Sequence, residues 1–153
     1  TYRLALMDAA VEDDLSANRA DKLGKAWGYY STIQNSRIKM HELVSVYWLE
    51  NRKAIKPEDD ANIEWLKKEI SKIINENLDG FLNLIESNYE EKLLIHTALR
   101  CGALRLNGKS FQTADGIPIG ESLREAILYY RDERHNEAKL KLIAQIELAN
   151  NKG

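Results

Sequence analysis

The sequence predicts an all-α protein: a single helical domain over residues 1–153, its six or seven helices packed as a bundle or an orthogonal array, with an irregular loop or small hairpin near 105–120. Two observations carry this. Twenty Leu and fifteen Ala stand against three Val and four Thr, a balance that favours helix formers over the β-branched residues of strands. Apolar residues also recur at intervals of three and four along most of the chain, the period of one helix face. Eight Gly and two Pro among 153 residues leave few turns, and the length suits one domain with its own core.

The first segment places Leu4, Met7, Val11 and Leu15 on one helical face. Glu12, Asp13 and Asp14 follow, and carboxylates oppose the macrodipole at a helix C-terminus, so an end or bend is expected near Ser16. From Asn18 onward Leu23, Ala26, Trp27, Tyr30 and Ile33 repeat at helical spacing, followed by Ile38, Val44, Tyr47 and Trp48. This is one long helix or two joined near Asn35, where Asn and Ser compete for backbone hydrogen bonds. Arg52, Lys53 and Lys56 precede Pro57, and Glu58, Asp59 and Asp60 follow it. Cations at one helix end, proline at the next N1 position and acids in its first turn mark a boundary.

Ile63, Leu66, Ile70, Ile73 and Ile74 give the next helix, ending between Asn77 and Gly80, where Gly80 is expected at positive φ. After a short segment with Phe81, Leu82 and Ile85, Ser87 or Asn88 caps a helix running to about Leu104. Its stripe is Leu94, Ala98, Cys101 and Arg105. Asn107-Gly108 is a type I′ turn pair, which predicts a hairpin over Arg105 to Gln112. The run from Glu121 to Ala149 reads as helical, and its wholly polar middle, Arg131 to Glu137, is a solvent-exposed stretch or a break.

Composition excludes several classes of protein. With 44% apolar residues the chain is not disordered, and a single cysteine cannot form a disulfide within the chain. No stretch approaches the roughly 20 apolar residues of a membrane helix, and the first residues lack a cationic region followed by an apolar core. The expectation is a soluble, cytoplasmic protein without membrane contact. No cofactor motif occurs: there is no GxGxxG loop, Walker A sequence or GxSxG elbow. His41 and His96 have no ligand partner three or four residues away, and His135 has only Asp132, so no metal site is expected. Cys101, on an apolar stripe, reads as a small core residue.

Three constellations remain. Lys92, Arg100, Arg105 and Lys109 lie in a window without acids. With His96 one turn before Arg100 they form either an anion-binding edge or an ordinary solvated face. Trp27, Tyr30, Tyr47 and Trp48, with Tyr29, concentrate in one region and point in several directions round a helix. They form an interface, a core buried on two sides or the lining of a small-ligand or lipid pocket. Arg131 and His135, four apart, share one face if the helix continues, with histidine as general base and arginine holding a phosphate. This stretch resembles the HEPN family of helical ribonucleases, whose motif places an arginine and a histidine late in a bundle helix. Three residues separate the pair here, against four to six in that family, and a solvated run of ion pairs explains the same letters.

The expected function is therefore a non-catalytic protein–protein interaction or regulatory module, such as an adaptor, inhibitor, immunity factor or sensor. It would bind a protein partner or itself as a homodimer through the aromatic-rich helix. A nucleic-acid-associated protein or HEPN-like ribonuclease using the basic edge is the alternative, and a small-ligand or lipid sensor is a third.

Overall fold

Seven α-helices and one small antiparallel sheet make up the computed structural model, which describes the backbone of residues 2–152 and the side chains of 18–150. The fold class is all-α with a small hairpin-based sheet. No helix among the described residues is long and apolar enough to cross a membrane. The residues cluster into two compact units, Thr1–His41 with Asp59–Ser87, and Glu42–Glu58 with Asn88–Gly153.

The first unit holds α1 (Tyr2–Ile33), the first turn of α2 (Arg37–Glu50), α3 (Ile63–Glu76) and α4 (Leu78–Glu86). The expected end near Ser16 does not occur. Misplaced carboxylates cost a helix only tenths of a kcal/mol each, and the helix formers that follow, Arg19, Ala20, Lys22 and Leu23, carry it on. The Leu4, Met7, Val11 and Leu15 face lies outside the described side chains. The break comes at Gln34 to Ser36, where the Ser36 hydroxyl accepts a hydrogen bond from the Lys39 amide. Ala26, Ile33, Leu66, Ile70, Ile74, Phe81 and Leu84 are buried, and Tyr29 meets Phe81 edge-on at 6.4 Å.

Pro57 is not the first residue of α3. It lies buried in the loop, and the helix begins six residues later because Asn62 caps it, its side chain accepting from the Trp65 amide at 2.8 Å. Arg37 holds the loop through the carbonyls of Asp59 and Ala61. The expected left-handed glycine at Gly80 is also replaced. Asn77 ends α3 and accepts from the Gly80 amide to start α4, so Phe81 and Leu82 are helical. Ser87 ends α4, and Asn88 enters α5 at φ +59° without a side-chain cap, a conformation that Asn tolerates.

In the second unit the remainder of α2 is buried at Leu43, Val44, Ser45, Val46, Tyr47 and Leu49. Next come α5 (Tyr89–Cys101), β1 (Leu104–Asn107), β2 (Ser110–Thr113), β3 (Pro118–Gly120), α6 (Leu123–Arg131), a 3-10 turn (Glu133–His135) and α7 (Asn136–Lys152). Gly102, at φ +86°, stops α5 three residues early, so its buried stripe is Lys92, Ile95 and Ala98 and Arg105 passes to β1. The hairpin forms with Asn107 opposite Ser110, which makes Gly108-Lys109 the two-residue loop. Gly108 takes φ +62° and Lys109 no positive φ. That pattern is the residue demand of a II′ turn with glycine first, in place of the expected Asn-Gly pair.

A third strand completes the sheet in the order β1-β2-β3. Gly116 at φ +87° turns the chain, and Pro118 takes an edge position where no ladder amide is required. The sheet buries Leu104, Phe111 and Ile119, with β1 against α5 and β3 against α6. Such support is what a short hairpin needs for stability. The polar stretch after Arg131 proves to be the break between α6 and α7.

Candidate functional site

A cleft of about 410 Å³ opens in the second unit, within the size range of small-ligand pockets. Its apolar wall is Leu49, Phe111 and Leu123, and its cations are Arg52, Lys109 and Arg124. Glu50, Glu121 and Ser122 complete the lining. Each group is placed by a local rule. Arg52 lies in the turn just past the end of α2, its guanidinium over the Trp48 indole at 4.6 Å and the Phe111 ring at 5.7 Å. Its Nη1 donates to the Gly108 carbonyl at 3.5 Å, which ties it to the hairpin turn carrying Lys109. Lys56 stands over the same indole at 5.1 Å. Burial pushes the Arg52 pKa down, yet a guanidinium stays charged at any ordinary pH.

The other wall is the start of α6. The Ser122 hydroxyl accepts from the Glu125 amide at 3.2 Å, and Glu125 Oε2 accepts from the Glu121 amide at 2.7 Å, which is capping-box chemistry. Gly120 lets β3 run directly into this cap. A Cβ there would stand 2.6 Å from the Glu125 Cβ and 2.9 Å from the Ala126 amide nitrogen.

Of the basic edge expected from sequence, Lys92 does not reach the surface. Lys92 is buried and its Nζ is 2.6 Å from Glu50 Oε1. It lies one helical turn from the boundary of α5, on the stripe that faces the core. His96 is half-buried on α5, Arg100 is exposed in its last turn, and Arg105 is exposed opposite Gln112. Of the five residues, only Lys109 lines the cleft.

The aromatic group divides between the two units. Trp27 and Tyr30 meet edge-on at 5.5 Å in the first. In the second, Tyr47 is buried and accepts from Asn51 Nδ2, while Trp48 is covered by Arg52 and Lys56.

Arg131 and His135 do not share a helix face, because α6 ends at Arg131 and Asp132 caps the turn that follows. Arg131 makes a bidentate pair with Glu91 at 2.7 and 2.8 Å, which holds the Glu91 carboxyl below its usual range. His135 stacks on Tyr129 at 3.8 Å, and its Nδ1 donates to the Tyr129 carbonyl at 2.8 Å. The Arg134 guanidinium and amide hold Asp132 down at about 2. Among the described residues no three His, Cys, Asp or Glu side chains gather where a metal ion could be held. Half-buried Cys101 directs its sulfur at the Ala98 carbonyl, 3.5 Å away.

Burial pushes the Tyr130 hydroxyl up to about 12. A pKa raised in the folded state stabilises below the unfolded value and is lost as pH climbs through the folded one. Stability is therefore expected to decline between pH about 10 and about 12, with tyrosinate absorbance rising as it does. Tyr130→Phe should flatten that decline.

Sequence reasoning missed Arg52, Arg124 and Phe111. Two signals were present: the Trp48-to-Arg52 spacing of four, and the Ser122-to-Glu125 capping pattern that places Arg124 in a first turn. Compared with models of known protein families, with curated proteins and with solved structures, the chain matches none of them.

Proposed function

We propose that the chain is a non-catalytic interaction module of a regulatory kind, whose cleft takes an acidic, partly apolar segment of a partner protein. The observation that carries this reading is the grouping of Arg52, Lys109 and Arg124 round the floor of Leu49, Phe111 and Leu123. Among the described residues none of these three cations forms an ion pair, whereas Lys22, Lys92, Arg131, Arg134 and Lys141 all do. Charge left uncompensated beside an apolar wall favours a ligand that brings carboxylates and apolar side chains together.

Two features favour a peptide over a nucleic-acid backbone. Glu121 interrupts the cations of the same lining, which suits spaced carboxylates better than a continuous polyanion. Lys92 is committed to Glu50, so the window from Lys92 to Lys109 offers a broken basic track rather than the continuous one that phosphate binding uses. The engagement of His135 by the Tyr129 carbonyl and of Arg131 by Glu91 supports the non-catalytic part of the reading.

Fluorescence anisotropy tests it, using a labelled peptide of alternating Glu and Leu and, in parallel, a single-stranded RNA oligonucleotide. The peptide is expected to bind, more weakly as salt rises, and the Lys109→Ala, Arg124→Ala double variant should lose about tenfold in affinity. Absence of peptide binding, or binding indifferent to both substitutions, overturns the proposal. Tighter binding of RNA than of peptide, lost in an Arg100→Ala, Arg105→Ala variant, transfers the function to the nucleic-acid reading.

A further inference from the structure

The hairpin turn that carries Lys109 into the cleft also holds the single Asn-Gly pair of the sequence, Asn107-Gly108. Both residues are exposed, and a Cβ on Gly108 would meet nothing within 4 Å. The register spends the backbone of Asn107 on Ser110, at the end of the β1-β2 ladder. Among the described residues neither the Asn107 carboxamide nor the Gly108 amide has a hydrogen bond. Other asparagines are held. The carboxamide oxygens of Asn51, Asn62, Asn77 and Asn83 accept hydrogen bonds from Lys53, Trp65, Gly80 and Ser87. After Asn35 the next amide, that of Ser36, donates to the Ile33 carbonyl.

We infer that Asn107-Gly108 is a site of self-modification that resets the charge of the cleft. The Gly108 amide nitrogen, unhindered by a side chain, attacks the Asn107 carboxamide carbon. A C–N bond forms, ammonia leaves with the amide proton, and a five-membered cyclic imide results. Water then opens the ring at either carbonyl. One water is consumed for each ammonia released, and Asn107 becomes aspartate or its β-linked isomer. Either product sets a negative charge two residues from Lys109. The same turn accepts the Arg52 guanidinium at the Gly108 carbonyl, so the new carboxylate competes with an acidic segment for two of the three cations of the cleft. The β-linked product also lengthens the backbone by one carbon, which breaks the register that sets Asn107 opposite Ser110. The effect on binding rests on the reading of the cleft as an acidic-peptide site; the chemistry of the turn does not.

The test is to incubate the folded protein in mildly alkaline heavy-oxygen water and map its peptides by mass spectrometry. One heavy oxygen is expected in the peptide spanning Asn107, shared between aspartate and isoaspartate. The rate should lie within about tenfold of that of the denatured chain, because an exposed turn opens at little cost. Asn107→Ser should leave that peptide unlabelled and the circular dichroism unchanged. In the same samples affinity for the Glu-Leu peptide should fall as label accumulates, and Asn107→Asp should bind about threefold more weakly from the start. An Asn107 peptide that takes up label only in the denatured chain, or not at all, overturns the inference. An affinity that holds constant as label accumulates does so too. Failure of the fresh chain to bind the peptide overturns the cleft reading instead, and the label still decides the modification.

Discussion

Phe111→Ala is expected to lower stability by about 3–5 kcal/mol, a fall of roughly 10 °C in the midpoint of thermal unfolding for a chain of this length. Phe111 is wholly buried and occupies the centre of the sheet, opposite Leu106 on β1 and Gly120 on β3. Its partner on β3 is a glycine, so no side chain from that strand can move into the space. Phe111→Leu keeps part of the volume and should cost distinctly less. The same ring stands 5.7 Å from the Arg52 guanidinium, so the alanine variant should also bind the acidic peptide less well. A loss below about 1 kcal/mol would place Phe111 outside the core and remove the apolar wall from the cleft.

Glu50→Ala is expected to cost about 2–3 kcal/mol, measured by urea unfolding. The Lys92 ammonium stays in a site whose side chain is 6% exposed after the carboxylate that balances it has gone. Breaking a wholly buried pair costs roughly 3–5 kcal/mol. The figure here is smaller because Glu50 is 27% exposed and water reaches part of the site. Lys92→Met makes the converse test: the remaining Glu50 carboxylate can hydrate, and the apolar replacement fills the space of the lysine stem, so the cost should be about 1 kcal/mol or less. The reverse order of the two effects would mean that the lysine stem, rather than its charge, is what the site requires.

Helices were legible wherever one face had to be buried against a neighbour. Ile63, Leu66, Ile70, Ile73 and Ile74 announce α3, and four of the five are buried. Helix ends were less legible, since they depend on single hydrogen bonds. Asn62 outcompetes Pro57 as the start of α3 because its side chain reaches an unsatisfied amide. Gly102 ends α5 before the apolar pattern runs out.

The candidate site was harder to read than the fold. Lys92 and Lys109 are both lysines in one acid-free window, and nothing local separates them, yet one lies under the core and the other on a turn. Arg131 and His135 have the spacing of a shared face, but that inference assumes a helix which Asp132 ends.

Residue order along the chain determined the all-α class and marked the turn residues near Asn35, at Asn107-Gly108 and after Arg131, while leaving open whether the helix breaks at the first and the last of them. Each follows from periodicity or from a turn residue acting within a few positions. Only the tertiary structure decided that Arg52 from the end of α2, Lys109 from a hairpin turn and Arg124 from the start of α6 line one cleft, and that Lys92 spends its charge on Glu50. Coulombic attraction and desolvation act through space. They depend on which distant segments folding brings together, and spacing along a sequence carries no record of that.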